Sequence, residues 1–139
     1  MRRTFLFFGV IVAFTAAGFG QRVENRSRTT IGYISAGGIV ENSGRSTLGY
    51  INPDGRVENS GRSTLGYINT EGRIENANRS TIGYIGDDGR VEDRGRSTIG
   101  YVDSNGRVEN ASRSTIGYAE GIDPRHAALF FFFFFKPGD

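Results

Sequence analysis

The chain has 139 residues, enough for one small domain, with no cysteine, one histidine and a formal charge of +2. Without cysteine there is no disulfide framework, no Cys/His zinc set and no Cys–His nucleophile. The excess charge resides in Arg2 and Arg3. Beyond residue 20 there are 15 cations and 15 carboxylates, so net charge lends no support to nucleic acid or an anionic membrane as partner.

The N-terminus reads Met1-Arg2-Arg3, then an apolar run from Phe5 to Phe14, then small residues from Thr15 to Gly20. A basic start, a short apolar stretch and a small-residue zone form the pattern of a secretory signal peptide. The run is short for a membrane span, which needs about 20 residues. Cleavage after Ala17 or after Gly20 fits; Gly20 is preferred because a repeat begins in register at Gln21. An uncleaved anchor is the alternative. The expectation is a secreted or periplasmic protein with no transmembrane span in the mature chain.

From Gln21 a 17-residue pattern recurs six times, as units 21–37, 38–54, 55–71, 72–88, 89–105 and 106–122. A fixed period of this kind marks a repeat fold in which neighbours bury one another's apolar faces. Each unit holds a short strand such as Arg56-Val57-Glu58, a tight loop such as Asn59-Ser60-Gly61, and a longer β-rich strand such as Ser63 to Ile68. The last loop position is Gly, Asn or Ser, which predicts a left-handed residue there. Between units sit turns such as Asn52-Pro53-Asp54-Gly55, with Pro and Gly where a type I turn wants them. The pattern predicts an all-β meander of about twelve short strands joined by hairpins. Helix is disfavoured by two breaker clusters in every unit.

A four-residue loop at Asn52–Gly55 sets Tyr50 opposite Val57. On that count Leu48, Tyr50, Val57 and Leu65 share the inner face, while Gly49, Ile51, Arg56 and Glu58 lie outside. The first and last units then bury Val23, Ile31 and Tyr33, and Val108, Ile116 and Tyr118. Arg and Glu outside suit cross-strand ion pairs worth roughly 0.2–1 kcal/mol each. Fourteen of the 15 cations beyond residue 20 are Arg, the residue for fixed carboxylate pairing. The mid-strand glycines, Gly49 and Gly66 for example, mark a bend, a bulge or a close approach.

After Ile122 the composition changes to Asp123-Pro124-Arg125-His126-Ala127-Ala128-Leu129, six Phe from Phe130 to Phe135, and Lys136-Pro137-Gly138-Asp139. Asp-Pro at the start and Lys-Pro-Gly at the end predict a helix from Pro124 to Lys136. A strand is the alternative for the Phe run. Six consecutive Phe have no polar side, so the tail of residues 123–139 must be buried all round, and the inner face of the repeats is the available surface. Partner contact and a shallow dip into a membrane are the other outcomes considered.

The pattern D-G-R-V-E-N-x-G-R-S-T-x-G-Y-I, present in phase in six copies and followed by a Phe-rich end after Ala127-Ala128, resembles the bacterial beta-flower repeat proteins, described as four-fold or five-fold. The resemblance spans nearly all of the chain beyond the signal. It implies a small secreted all-β protein with hairpins around a pseudo-symmetry axis, closed by pairing Arg22-Val23-Glu24 with Ser114 to Tyr118, and it brings no activity. Six units with five inter-unit turns leave five-fold and six-fold closure both open.

No catalytic, cofactor-binding or metal-ligating set emerges. His126 is expected to be a surface or capping residue. Asp87-Asp88-Gly89 with Asp93 lacks alternating calcium-ligand spacing and suits turn chemistry. The glycines form no phosphate loop. Glu24, Glu41, Glu58, Glu75, Glu92 and Glu109 recur beside Arg, which favours ion pairing over glycosidic chemistry. Asn25, Asn78 and Asn110 head Asn-x-Ser motifs that follow from the loop requirement. The six tyrosines are expected in the core with hydroxyls at the rim; a ring of sugar-stacking platforms is the alternative. The functional expectation is a non-enzymatic module of structural or binding role with no cofactor. The alternative is a cell-wall or carbohydrate-binding module using the Tyr/Arg face. The partner is left open between a cell-surface glycan and a protein.

Overall fold

The computed structural model describes residues 20–137; residues 1–19, where the signal peptide is expected, and 138–139 lie outside the described residues. The first half holds β1 (Gln21–Asn25), β2 (Thr30–Ile34), β3 (Ile39–Asn42), β4 (Thr47–Ile51), β5 (Arg56–Asn59) and β6 (Thr64–Ile68). The second holds β7 (Arg73–Asn76), β8 (Thr81–Ile85), β9 (Arg90–Asp93), β10 (Thr98–Val102), β11 (Arg107–Asn110) and β12 (Thr115–Tyr118). Each strand pairs antiparallel with its sequence neighbours, and β1 pairs with β12 through Glu24 with Tyr118 and Asn25 with Gly117. The sheet is therefore a closed barrel of six hairpins, which leaves no open sheet edge. Closure is six-fold.

Both loop types are three-residue turns closed by a left-handed residue. Between units, Gly55 donates its N–H to the Asn52 carbonyl at 2.9 Å, and Asn52 donates to the Arg56 carbonyl at 2.9 Å. Gly55 has φ +94°, and a Cβ there would strike the Ile68 carbonyl oxygen of the same unit. Within a unit, Arg62 donates to the Asn59 carbonyl at 3.0 Å and Asn59 to the Ser63 carbonyl at 2.9 Å. The Asn59 side chain accepts from Gly61 and Ser63. The left-handed residue is Arg62, at φ 70°, and its five counterparts are all arginines. The expected position, Gly61, is corrected by one residue, because Asn59 and Ser63 close the loop and place Arg62 last within it.

The inter-unit turn also corrects the side-chain parity. Asn52 pairs with Arg56, so Ile51 faces Val57 and Tyr50 faces Glu58. Tyr50 and its counterparts consequently point outward, while Gly49 and Ile51 point inward beside Val57. On the other flank of β5, Val57 faces Gly66 but Glu58 faces Thr64, which leaves Leu65 as a bulge residue. The bulge lets Leu65 join the core despite standing next to inward-facing Gly66.

The bore is filled by the C-terminal segment. Helix α1 (Pro124–Ala128) starts at Asp123, whose carboxylate accepts the Arg125 N–H at 2.9 Å. The segment enters at the inter-unit turns, where Arg125 donates to the carbonyls of Asn69 and Thr70 at 3.2 and 2.9 Å. It continues as a widened π-helical turn, Leu129–Phe133, in which Phe134 donates to the Leu129 carbonyl at 2.9 Å. The helix thus stops short of Lys136. Each Phe ring takes the space that one strand glycine leaves open. Phe130 meets Gly32 and Phe131 meets Gly117; Phe132, Phe133, Phe134 and Phe135 meet Gly100, Gly83, Gly66 and Gly49. Successive Phe residues thus advance one repeat around the barrel. Six residues per circuit is a smaller angular step than the 3.6 per turn of an α-helix. The wider i→i+5 turn reduces that mismatch. The burial of the Phe tail against the inner face agrees with the expectation.

Candidate functional surface

The turn geometry brings four side chains together in five of the six repeats. Glu58, at the centre of β5, receives Arg56 at 3.0 Å and Arg62 at 2.8 Å on its two oxygens. The left-handed backbone at Arg62 folds its side chain back along the strand, so the guanidinium also lies 3.7 Å above the Tyr50 ring of the preceding unit. The same stack joins Arg45 to Tyr33, Arg79 to Tyr67, Arg96 to Tyr84 and Arg113 to Tyr101, at 3.6–3.7 Å. Arg28 over Tyr118 at 3.6 Å carries it across the closure. The result is a continuous outer girdle of Arg, Glu and Tyr. The four-residue turn predicted these tyrosines in the core; they lie instead on the outer face, half-buried beneath guanidinium planes.

The carboxylates are covered by these neighbours rather than by the bore. Glu58, Glu92, Glu109 and Glu24 are all buried. Asn52 donates to Glu58 at 3.1 Å. That bond and then the Arg62 bond hold the Glu58 carboxyl below its ordinary 4.5; desolvation opposes them, and the Arg56 charge adds a lesser lowering. Arg28 and Arg113 are raised by their bonds to Glu24 and Glu109. A carboxylate held this way keeps its charge and accepts fixed hydrogen bonds, which suits a structural ion pair rather than proton transfer near neutral pH. The Arg–Glu pairing inferred from the sequence is present in every unit.

One unit differs. Ile39 stands where the other units have Arg22, Arg56, Arg73, Arg90 and Arg107. It is the exposed large hydrophobic of the described residues, and the Glu41 side chain beside it is 22 % exposed against 3 % for Glu58. Comparing the units position by position would have found Ile39. The same comparison would have marked the left-handed arginine, since the residue before it varies and the arginine does not.

The two barrel ends differ as well. At the hairpin-loop end a cleft of about 840 Å³ runs between Phe133, Phe134, Phe135 and Lys136 and the first three units, lined by Leu48 and Leu65 among others. At the inter-unit-turn end a cleft of about 530 Å³ is bordered by Asp54, Asp123, Arg125 and His126. Burial lowers the His126 imidazole below its ordinary 6.5, opposed by the Asp123 charge; the residue is half-buried in α1 rather than on the open surface. Asp88 accepts the Arg90 N–H, and Asp93 accepts those of Gly95 and Ser97, which is turn chemistry. Among the described residues no cluster of His, Cys, Asp and Glu is arranged to hold a metal ion. No helix among them is long and apolar enough to cross a membrane.

A family model described as 5-fold beta-flower protein matches residues 20–136, the barrel and its Phe filler together. The chain belongs to this family. Its six hairpins depart from the five of the family's description, and the run of six Phe follows the same count. No match was found among curated proteins or among solved structures.

Proposed function

We propose that this beta-flower chain is a secreted or periplasmic, non-enzymatic module of structural or binding role. The observation that carries the reading is the girdle. The loop arginine pairs with the strand Glu in all six units, and a second arginine joins it in five, so the recurring polar residues serve as a lattice that holds the barrel. The N-terminal pattern of Arg2, Arg3 and the apolar run supports export. Mass spectrometry of the chain made in a Gram-negative host tests it. A secreted or periplasmic species beginning at Gln21, or at Gly18, is expected; a membrane-bound species retaining Met1 overturns it.

The carbohydrate reading takes a narrower form. A guanidinium covers one face of each tyrosine, so a glycan would meet guanidinium edges rather than two open ring faces. The gap at Ile39 is the place where the Tyr50 edge is least enclosed by arginine. Retention on insoluble cell wall, lost on Ile39→Arg, supports this version; no retention on cell wall or glycan array counts against it.

A further inference from the structure

Charge is segregated along the barrel axis. The inter-unit-turn rim carries the exposed carboxylates Asp54, Glu71, Asp87, Asp88 and Asp123, with the cation Arg125 beside Asp87 and Arg107 reaching the turn residue Asp103 from β11. The hairpin-loop rim carries the exposed cations Arg26, Arg94 and Lys136, and its one carboxylate among the described residues, Asp93, is engaged in capping its own loop. The hairpin rim also surrounds the half-exposed Phe133, Phe134 and Phe135 rings and the cleft beside them. A basic, apolar end and an acidic end on one molecule are complementary to each other, and neither is complementary to itself.

We propose that copies of this chain associate end to end along the barrel axis, the acidic turn rim of one seated on the basic, apolar hairpin rim of the next. The contact is heterologous, and a contact along the axis does not close into a ring, so assembly continues into filaments. Twelve strands about 4.8 Å apart give a circumference of roughly 60 Å, and with side chains an end face roughly 30 Å across. Its area, roughly 700 Å², is close to the roughly 800 Å² per partner of a stable interface. Exposed Ala36 and Pro53 at the turn tips are small enough to approach the apolar cleft. The proposal deepens the structural reading of the previous section, and the two fail separately: a monomeric chain would leave the non-enzymatic reading standing.

Sedimentation velocity of the full chain tests it. At about 20 mM salt the average size is expected to rise with concentration past dimer without a plateau, and about 500 mM salt is expected to reverse the rise, because exposed charges are screened within about 4 Å there. Two variants follow. Glu71→Lys with Asp87→Lys and Asp88→Lys makes the turn rim basic; Arg94→Glu with Lys136→Glu makes the hairpin rim acidic. Each alone is expected to require at least ten-fold higher concentration to associate. Mixed in equal amounts they are expected to assemble again, since each then offers the other a complementary end; this recovery also shows that both fold. A chain that stays monomeric at low salt, a plateau at dimer, or a mixture that does not recover overturns the proposal. Saturable binding of the monomer to phosphatidylglycerol vesicles, lost in the hairpin-rim variant, would assign that rim to a membrane and overturn it as well.

Discussion

The Phe133 ring occupies the space that a side chain on Gly83 would need: a Cβ there would lie 2.5 Å from the ring and 2.6 Å from the Glu92 carbonyl oxygen. The first neighbour is a packed filler and the second is backbone of the next strand. Neither can withdraw without disturbing the barrel register. Gly83→Ala is therefore expected to cost about 1–3 kcal/mol or more, measured by urea unfolding. Gly95→Ala is the control, because its Cβ would meet only the Asp93 side chain at 3.5 Å, and it should stay within about 0.5 kcal/mol. Equal effects at the two sites would remove the filler from the account.

The filler should be graded along its length. Phe130 is fully enclosed, whereas Phe135 is half-exposed at the hairpin end. Phe130→Ala is expected to cost about 3–5 kcal/mol, and Phe135→Ala clearly less. A chain ending at Asp123 should be insoluble or unfolded, since the inner valines and glycines would line an empty bore. A soluble truncation with a cooperative melt would show that the barrel stands without its filler.

The period, the hairpins and a Phe tail in the core were legible because each rests on local chemistry: turn residues, β-branched runs and a segment with no polar side. Closure through β1 and β12 followed from the family resemblance, and its six-fold count came from the structure. Face assignment was not. It depended on whether the turn at Asn52 closes at Gly55 or Arg56, and one residue inverts every side chain of a strand. The bulge at Leu65 then hid the error, because Leu65 reaches the core under either count. The Arg–Glu pairs were readable from spacing. The Arg–Tyr stacks were not, since they join different units and require Tyr50 to face outward.

Arg62 holds a backbone conformation that costs a residue with a side chain roughly 1–2 kcal/mol, and its guanidinium offsets this through Glu58 and Tyr50. Arg62→Ala loses the contacts and keeps the strain. Arg62→Gly loses the contacts and relieves it. Alanine should therefore be the less stable of the two by about 1 kcal/mol, read from thermal or urea unfolding. If glycine is no better than alanine, the left-handed backbone is not what the arginine compensates.

Acid should destabilise the barrel in two stages. His126 is lowered below 6.5 by burial, with the Asp123 charge opposing. The unfolded chain therefore takes up that proton first, and the stability this represents is complete above about pH 6.5 and is lost as pH falls through the folded value. Glu58 is lowered below 4.5 by Asn52 and Arg62. Its contribution is complete above about pH 4.5 and is lost on further acidification, by the same sign. Melting temperature measured from pH 8 to pH 3 should fall across both windows. His126→Gln should flatten the upper window and leave the lower one; Glu58→Gln should flatten the lower window and leave the upper one. The comparison is of slopes rather than absolute stability, so a variant that is less stable throughout still reports. A wild-type curve flat between pH 7 and pH 5 would show that His126 is solvated in the folded chain, and a Glu58→Gln curve parallel to wild type below pH 4.5 would show that Asn52 and Arg62 do not hold the Glu58 carboxylate ionised.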